Sequence, residues 1–220
     1  WVAAVRSEGA AWRWFVTRVQ ENGGPVMATG VQDTAFYRYA RFTALNEAGG
    51  DPARFGLSKQ DFHEACRQRL ADWPLSMTTL STHDTKRSED VRARLVLLSE
   101  EPDAWVSAVR EWSHLADGHK PDASPDPATE QLIWQTLSGA WPPNADRALA
   151  QPQKATREAK PHTPWLDPNV AYESTVDSFL RSLLGESTGQ SKAPASVEGP
   201  HPARRTPGPC LYAGDAARRQ

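Results

Sequence analysis

Strand signals are scarce in this chain, and that scarcity limits what it can build. Pro25-Val26-Met27-Ala28 is short and apolar. Residues 75–82 alternate apolar with hydroxyl side chains and include three threonines, residues that suit a pleated, half-buried surface. We read this second run as one strand ending at Thr82. Two strands cannot close a sheet. The expectation is a mostly α-helical chain with about two short strands, a piece of an α/β fold rather than a helix bundle. The sequence also starts without a methionine, which suggests a beginning inside a longer protein.

Helix signals fill most of the remainder. Asp33 can cap a helix carrying Phe36, Tyr39 and Ala40, with Gly49 and Gly50 at its end. Ser58 and Asp61 form a weak capping box ahead of the stripe Phe62, Cys66, Leu70 and Trp73, which Pro74 stops. A third helix starts near Ser88, with Glu89 and Asp90 in its first turn and Val91, Leu95 and Leu98 on its buried face. A fourth opens at Pro102 and carries Trp105, Val109, Trp112 and Leu115. For the last helix, Asp167 is the expected cap and Pro168 the opening residue. Tyr172, Val176, Phe179 and Leu183 form its stripe, and Gly185 follows its end. Residues 117–128 read as a Pro- and Asp-rich connector. Residues 185–220 hold five Pro and five Gly, with too few apolar side chains to offset ordering, so we expect that tail to be disordered.

Charge and cysteine content exclude several classes. Lys and Arg number 25 against 27 Asp and Glu, a net charge of -2. Phosphate affinity needs clustered cations, so the balance argues against a nucleic-acid partner. Cys66 and Cys210 are too few for a disulfide scaffold or a four-cysteine zinc site. No apolar run approaches the roughly 20 residues that span a bilayer, so no membrane partner is expected. The N-terminal WVAAVRSEGAAWRW lacks the features of a secretory signal, and the expected compartment is the cytoplasm. Nothing in the sequence sets the oligomeric state.

Chemistry is concentrated where the strand-like run meets the third helix. His83, Asp84, Lys86, Arg87, Glu89 and Asp90 crowd together there. In α/β barrels the C-terminal ends of strands carry the catalytic groups. Asp84 in that position can face a substrate pocket. His83 can donate to a sugar hydroxyl, and Lys86 and Arg87 can hold Asp84 ionised. The same residues also suit a polar loop that caps a helix and forms surface ion pairs. An adjacent His-Asp pair can serve a metal as well, but no further ligands occur at a recognisable spacing, so no metal is expected. Two other stretches, 30–39 and 154–165, read as a helix with core aromatics and as a solvated charged helix face.

Four blocks carry a resemblance. They are PVMATGVQDTAFYRYARFTALNEAGGDPARFG, MTTLSTHDTKRSEDVRARLVLLSE, QLIWQTLSGAWP and KATREAKPHTPWLDPNVAYESTV. In order and spacing they resemble the maltooligosyltrehalose synthases of the α-amylase superfamily, across about residues 15–184. The resemblance implies part of a (β/α)8 TIM barrel with inserted helical subdomains. Residues 1–116 would be a portion of the catalytic barrel and 117–184 a helical subdomain. The tail, 185–220, resembles nothing in the family. The implied substrate is a maltooligosaccharide and the implied reaction an intramolecular transglycosylation, with no cofactor. The resemblance makes Asp84 the catalytic carboxylate that stabilises the transition state. His83 is its hydroxyl-binding neighbour, and Lys86 and Arg87 are candidates for contacts to the acceptor-side sugar. The family's nucleophile and general acid lie upstream of Trp1, which leaves a catalytically inactive, carbohydrate-binding or interaction remnant as the alternative. Thr29 and Gln32 stand where the family pattern has Lys and Glu, and Pro161 where it has a non-proline residue.

Overall fold

The computed structural model describes residues 9–120, 124–141 and 145–185. Seven helices carry the described chain: α1 (Ala10–Met27), α2 (Lys59–Asp72), α3 (Glu89–Glu100), α4 (Pro102–Ala116), α5 (Pro127–Ala140), α6 (Ala145–Ala159) and α7 (Val170–Leu183). α1 runs on through a π-helical stretch, Ala28–Ala35, and ends in the turn Phe36–Arg38. Short 3-10 turns lie at Thr43–Leu45 and Asp117–His119. Among the described residues no strand occurs, and no helix is long and apolar enough to cross a membrane.

The core is built from four helices. α4 contributes Trp112 and Ala116, α5 contributes Ile133, Trp134 and Leu137, α6 contributes Ala148, and α7 contributes Val176, Phe179 and Leu180. It therefore draws on both sides of residue 117. A line of aromatic rings threads it. Trp105 meets Trp112 at 5.8 Å, Trp112 meets Trp134 at 5.6 Å and Trp134 meets Phe179 at 6.3 Å. Large rings at such separations add edge-to-face attraction to a large buried area.

Two polar devices set α5. Asp126 caps it, accepting from the Ala128 and Thr129 N–H groups at 3.0 and 3.2 Å. The other Asp126 oxygen accepts from the Thr129 and Tyr172 hydroxyls, so one cap also ties α5 to α7. Gln135 is fully buried. Its Oε1 accepts from the Thr43 N–H and O–H at 2.8 and 3.0 Å, and its Nε2 donates to the Ala40 carbonyl at 2.7 Å. The segment after α1 is thereby pinned to the most buried helix. α3 lies close against α5 at Gly139, where an added Cβ would meet Val91 Cγ1 at 2.9 Å and Leu95 Cγ at 3.2 Å.

Several expectations need correction. Pro25–Ala28 is not a strand: it continues α1 into the π-helical stretch. Residues 75–82 are irregular rather than a strand. Leu75 and Met77 are 94% and 98% exposed, and among the described residues no other strand is present to pair with that backbone. Asp33 caps no helix, since it lies inside the π-helical stretch. That helix stops at Arg38 rather than at Gly49, and Asn46 Nδ2 donates to the Phe36 and Tyr39 carbonyls at its end. α7 starts at Val170 with Asn169 as its cap, Oδ1 accepting from the Tyr172 N–H. Asp167 and Pro168 lie in the connector before it.

Other boundaries agree with the sequence. Ser58 Oγ accepts from the Asp61 N–H at the head of α2. Pro102 opens α4, and Gly185 adopts φ 74° after α7. The face predicted for α2 is present, but Phe62, Leu70 and Trp73 are exposed, as is the free Cys66. The disorder expected for residues 185–220 falls, beyond Gly185, outside the described residues, and Cys210 with it.

Candidate functional site

His83 and Asp84 sit on a turn that their neighbours build. The Thr82 N–H donates to Thr85 Oγ1 at 2.6 Å, the Asp84 N–H to Thr82 Oγ1 at 3.2 Å and the Thr85 N–H to the Thr82 carbonyl at 3.3 Å. Short hydroxyl side chains favour such local bonds over regular structure. The turn leaves His83 exposed and the Asp84 side chain 51% exposed. The carboxylate can therefore meet a solute.

Lys86 and Arg87 turn the other way. The Lys86 side chain is only 8% exposed. Its Nζ donates to Asp33 Oδ1 at 3.0 Å, lies 3.8 Å from Asp84 Oδ1 and approaches the Tyr37 ring at 5.9 Å. Burial would lower its pKa, but the hydrogen bond to Asp33 and the surrounding negative charge outweigh that, so Lys86 titrates above the ordinary lysine value. Arg87 donates to the Thr43 carbonyl at 3.4 Å. Burial pushes its guanidinium below the usual value, against the pull of Tyr37 and Glu47. Burial likewise raises the Tyr37 hydroxyl.

Glu47 completes the support. Its Oε1 accepts from the Lys86 N–H at 3.0 Å, and its Oε2 lies 3.8 Å from Arg92 Nη1. Arg92 also donates to the Leu80 carbonyl. The C-terminal end of α6 is tied to the segment that carries Asp33. Arg38 Nε donates to the Ala159 carbonyl at 2.7 Å, and Lys160 Nζ to Thr34 Oγ1 at 2.7 Å. Residues near 33, 84 and 160, far apart in sequence, thus meet in one region.

Of the four predicted site residues, His83 and Asp84 face solvent while Lys86 and Arg87 face the protein. Asp33, Tyr37, Glu47 and Arg92 are partners that the sequence reading did not assign to the site. Among the described residues no group of three or more His, Cys, Asp or Glu side chains is arranged to hold a metal ion. The shallow cleft between α6 and α7, lined in part by Asp146, Gln153 and Glu173, does not include the His83–Asp84 turn.

No family model matches the chain. Curated relatives from two strains of Mycobacterium tuberculosis, each named "Putative maltooligosyl trehalose synthase", are 42% identical over 174 residues, 76% of this chain and 22% of theirs. The maltooligosyltrehalose synthase of Arthrobacter ramosus is 44% identical with a TM-score of 0.69, over 77% of this chain and 22% of that one. A Sulfolobus tokodaii structure described as a hypothetical maltooligosyl trehalose synthase is 36% identical with a TM-score of 0.66, over 74% of this chain and 23% of that one. The chain thus spans about a fifth of the length of the curated relatives it matches. By sequence and by fold, the chain is similar over a segment of that size to the maltooligosyltrehalose synthases.

Proposed function

We propose that this chain is the segment of a retaining-type glucosylmutase that stabilises the transition state. The enzyme would convert the reducing-end α-1,4 linkage of a maltooligosaccharide into an α,α-1,1 linkage. In that reaction a carboxylate nucleophile displaces the reducing-end glucose while a carboxylic acid protonates its leaving oxygen. The released glucose then presents its anomeric hydroxyl to the glycosyl-enzyme, and the proton returns to the acid. Two carboxyl groups roughly 5 Å apart carry those steps, around an oxocarbenium-like transition state. Asp84 is the third carboxylate. It accepts hydrogen bonds from ring hydroxyls and opposes the developing positive charge. His83 donates to a neighbouring hydroxyl.

The observation that carries this reading is the half-exposed Asp84 carboxylate on a braced turn, within a chain 42% identical to named synthases. The nucleophile, the general acid and the strands of a (β/α)8 barrel would come from outside the matched segment. Alone, the chain is then expected to be inactive, and the compartment is the cytoplasm, where maltooligosaccharides would be its substrate.

The test is a chimera. Residues 15–184 replace the matching segment of the Arthrobacter ramosus enzyme, and maltohexaose is assayed for non-reducing product. The chimera should form product, and the isolated chain should form none above a boiled control. A chimera that folds but gives no product would contradict the assignment, and so would turnover by the chain alone.

A further inference from the structure

The Thr82–Thr85 turn is closed by bonds among its own residues. Such bonds shape the turn but do not fix it to the rest of the molecule. Arg92 holds the chain just before it, at the Leu80 carbonyl, and the attachment on the other side comes at the next residue. The Lys86 N–H is held by Glu47 Oε1 at 3.0 Å, and its Nζ by Asp33 Oδ1 at 3.0 Å. Asp33 comes from the π-helical stretch, a departure from regular helix of the kind that often marks a functional position. The ammonium lies between two carboxylates, in hydrogen-bond contact with Asp33 and at 3.8 Å from Asp84. Asp33 therefore occupies the cation that would otherwise turn to Asp84.

We propose that Asp33 is a positioning residue: by holding the Lys86 ammonium it anchors the turn and keeps Asp84 free to accept hydrogen bonds from a bound sugar. This rests on the reading of Asp84 given above, but the bracing itself is a property of the chain. Without Asp33, Lys86 has Asp84 as its near carboxylate. A direct bond between them would neutralise the group that faces solvent. Tyr37, packed at 5.9 Å from the ammonium, and Glu47, facing Arg87 and Arg92, complete the charged and titratable surroundings, with Glu158 acting on Tyr37 from α6.

The test uses the full chain and nuclear magnetic resonance. Asp33→Asn, Lys86→Met, the double variant and Asp33→Glu are compared for amide exchange at Asp84, Thr85 and Lys86. Exchange at Ile133 and Phe179 in the core serves as the reference. Lys86 is titrated through its side-chain signals. Asp33→Asn should speed exchange at the turn by about threefold to tenfold, the scale of one partly exposed ion pair. It should lower the Lys86 titration midpoint and leave the core unchanged. In turn exchange alone, Lys86→Met should act equally and the double variant should add nothing further, while Asp33→Glu should restore both readouts. Parental behaviour of Asp33→Asn would overturn the proposal. So would equal acceleration in the core, or additivity in the double variant. Neither readout involves a sugar, so failure here is distinct from failure of the Asp84 assignment, which the chimera decides.

Discussion

At the scale of single residues, buried polar side chains carry more than their number suggests. Gln135 satisfies the Thr43 N–H, the Thr43 hydroxyl and the Ala40 carbonyl together. Leucine at that position keeps most of the volume but leaves these groups without partners. Each buried unpaired group costs about 1–3 kcal/mol, so Gln135→Leu should lower unfolding free energy by about 3 kcal/mol in urea titrations. An unchanged midpoint would show that the 40–43 segment is held some other way. Glu173 has a different signature. The Arg157 guanidinium binds it at 2.7 and 2.6 Å and Thr163 Oγ1 at 2.6 Å. The hydrogen bond from Arg157, opposed by burial and helped by Thr163, lowers its pKa to about 2 from the ordinary glutamate value of 4.5. A carboxyl depressed in the folded state adds stability above its unfolded pKa and loses it as pH falls through the folded one. Glu173→Gln should therefore flatten the fall in stability between pH 4.5 and about 2. An acid limb identical to the parent's would remove Glu173 from that role.

Element by element, the legible parts were those marked by local chemistry. Ser58, Pro102 and Gly185 act through capping geometry and proline's fixed φ, which need only a few neighbouring residues. α5 carries no clear helix signal in the sequence. Its cap Asp126 and opening Pro127 fall at the end of a stretch that reads as a connector. The helix is also buried on nearly every side, so no single apolar face repeats along it. The π-helical register was equally hidden, because nothing in ATGVQDTA separates it from an ordinary helix. Packing between elements gives a test of its own. At Gly139 the approach of α3 leaves no room for a side chain. Overpacking usually costs about 1–3 kcal/mol, so Gly139→Val should destabilise the chain in that range by thermal or urea unfolding. A neutral effect would mean that α3 can move away from α5 at no cost.

Across the whole molecule the apolar surface is uneven. The four-helix core is closed, yet Trp14, Val26, Phe55, Trp73, Leu75, Met77 and Leu80 are all more than 60% exposed. The strand expected at 75–82 needs a neighbouring strand to pair with. Its absence reflects long-range context that a local pattern cannot supply. The site was legible in part for the same reason. His83 and Asp84 are adjacent in sequence and stand out. Asp33 and Glu47 reach Lys86 across 53 and 39 residues, and a single sequence does not display such pairings. In the active chimera, Asp84→Asn keeps size and removes charge. An interaction that tightens in the transition state should cost kcat about a hundred- to a thousandfold while leaving KM nearly unchanged. His83→Ala should cost less, since it removes a hydrogen bond and no charge. A folded chimera should show that large fall in kcat with Asp84→Asn; near-parental turnover would exclude a transition-state role for Asp84.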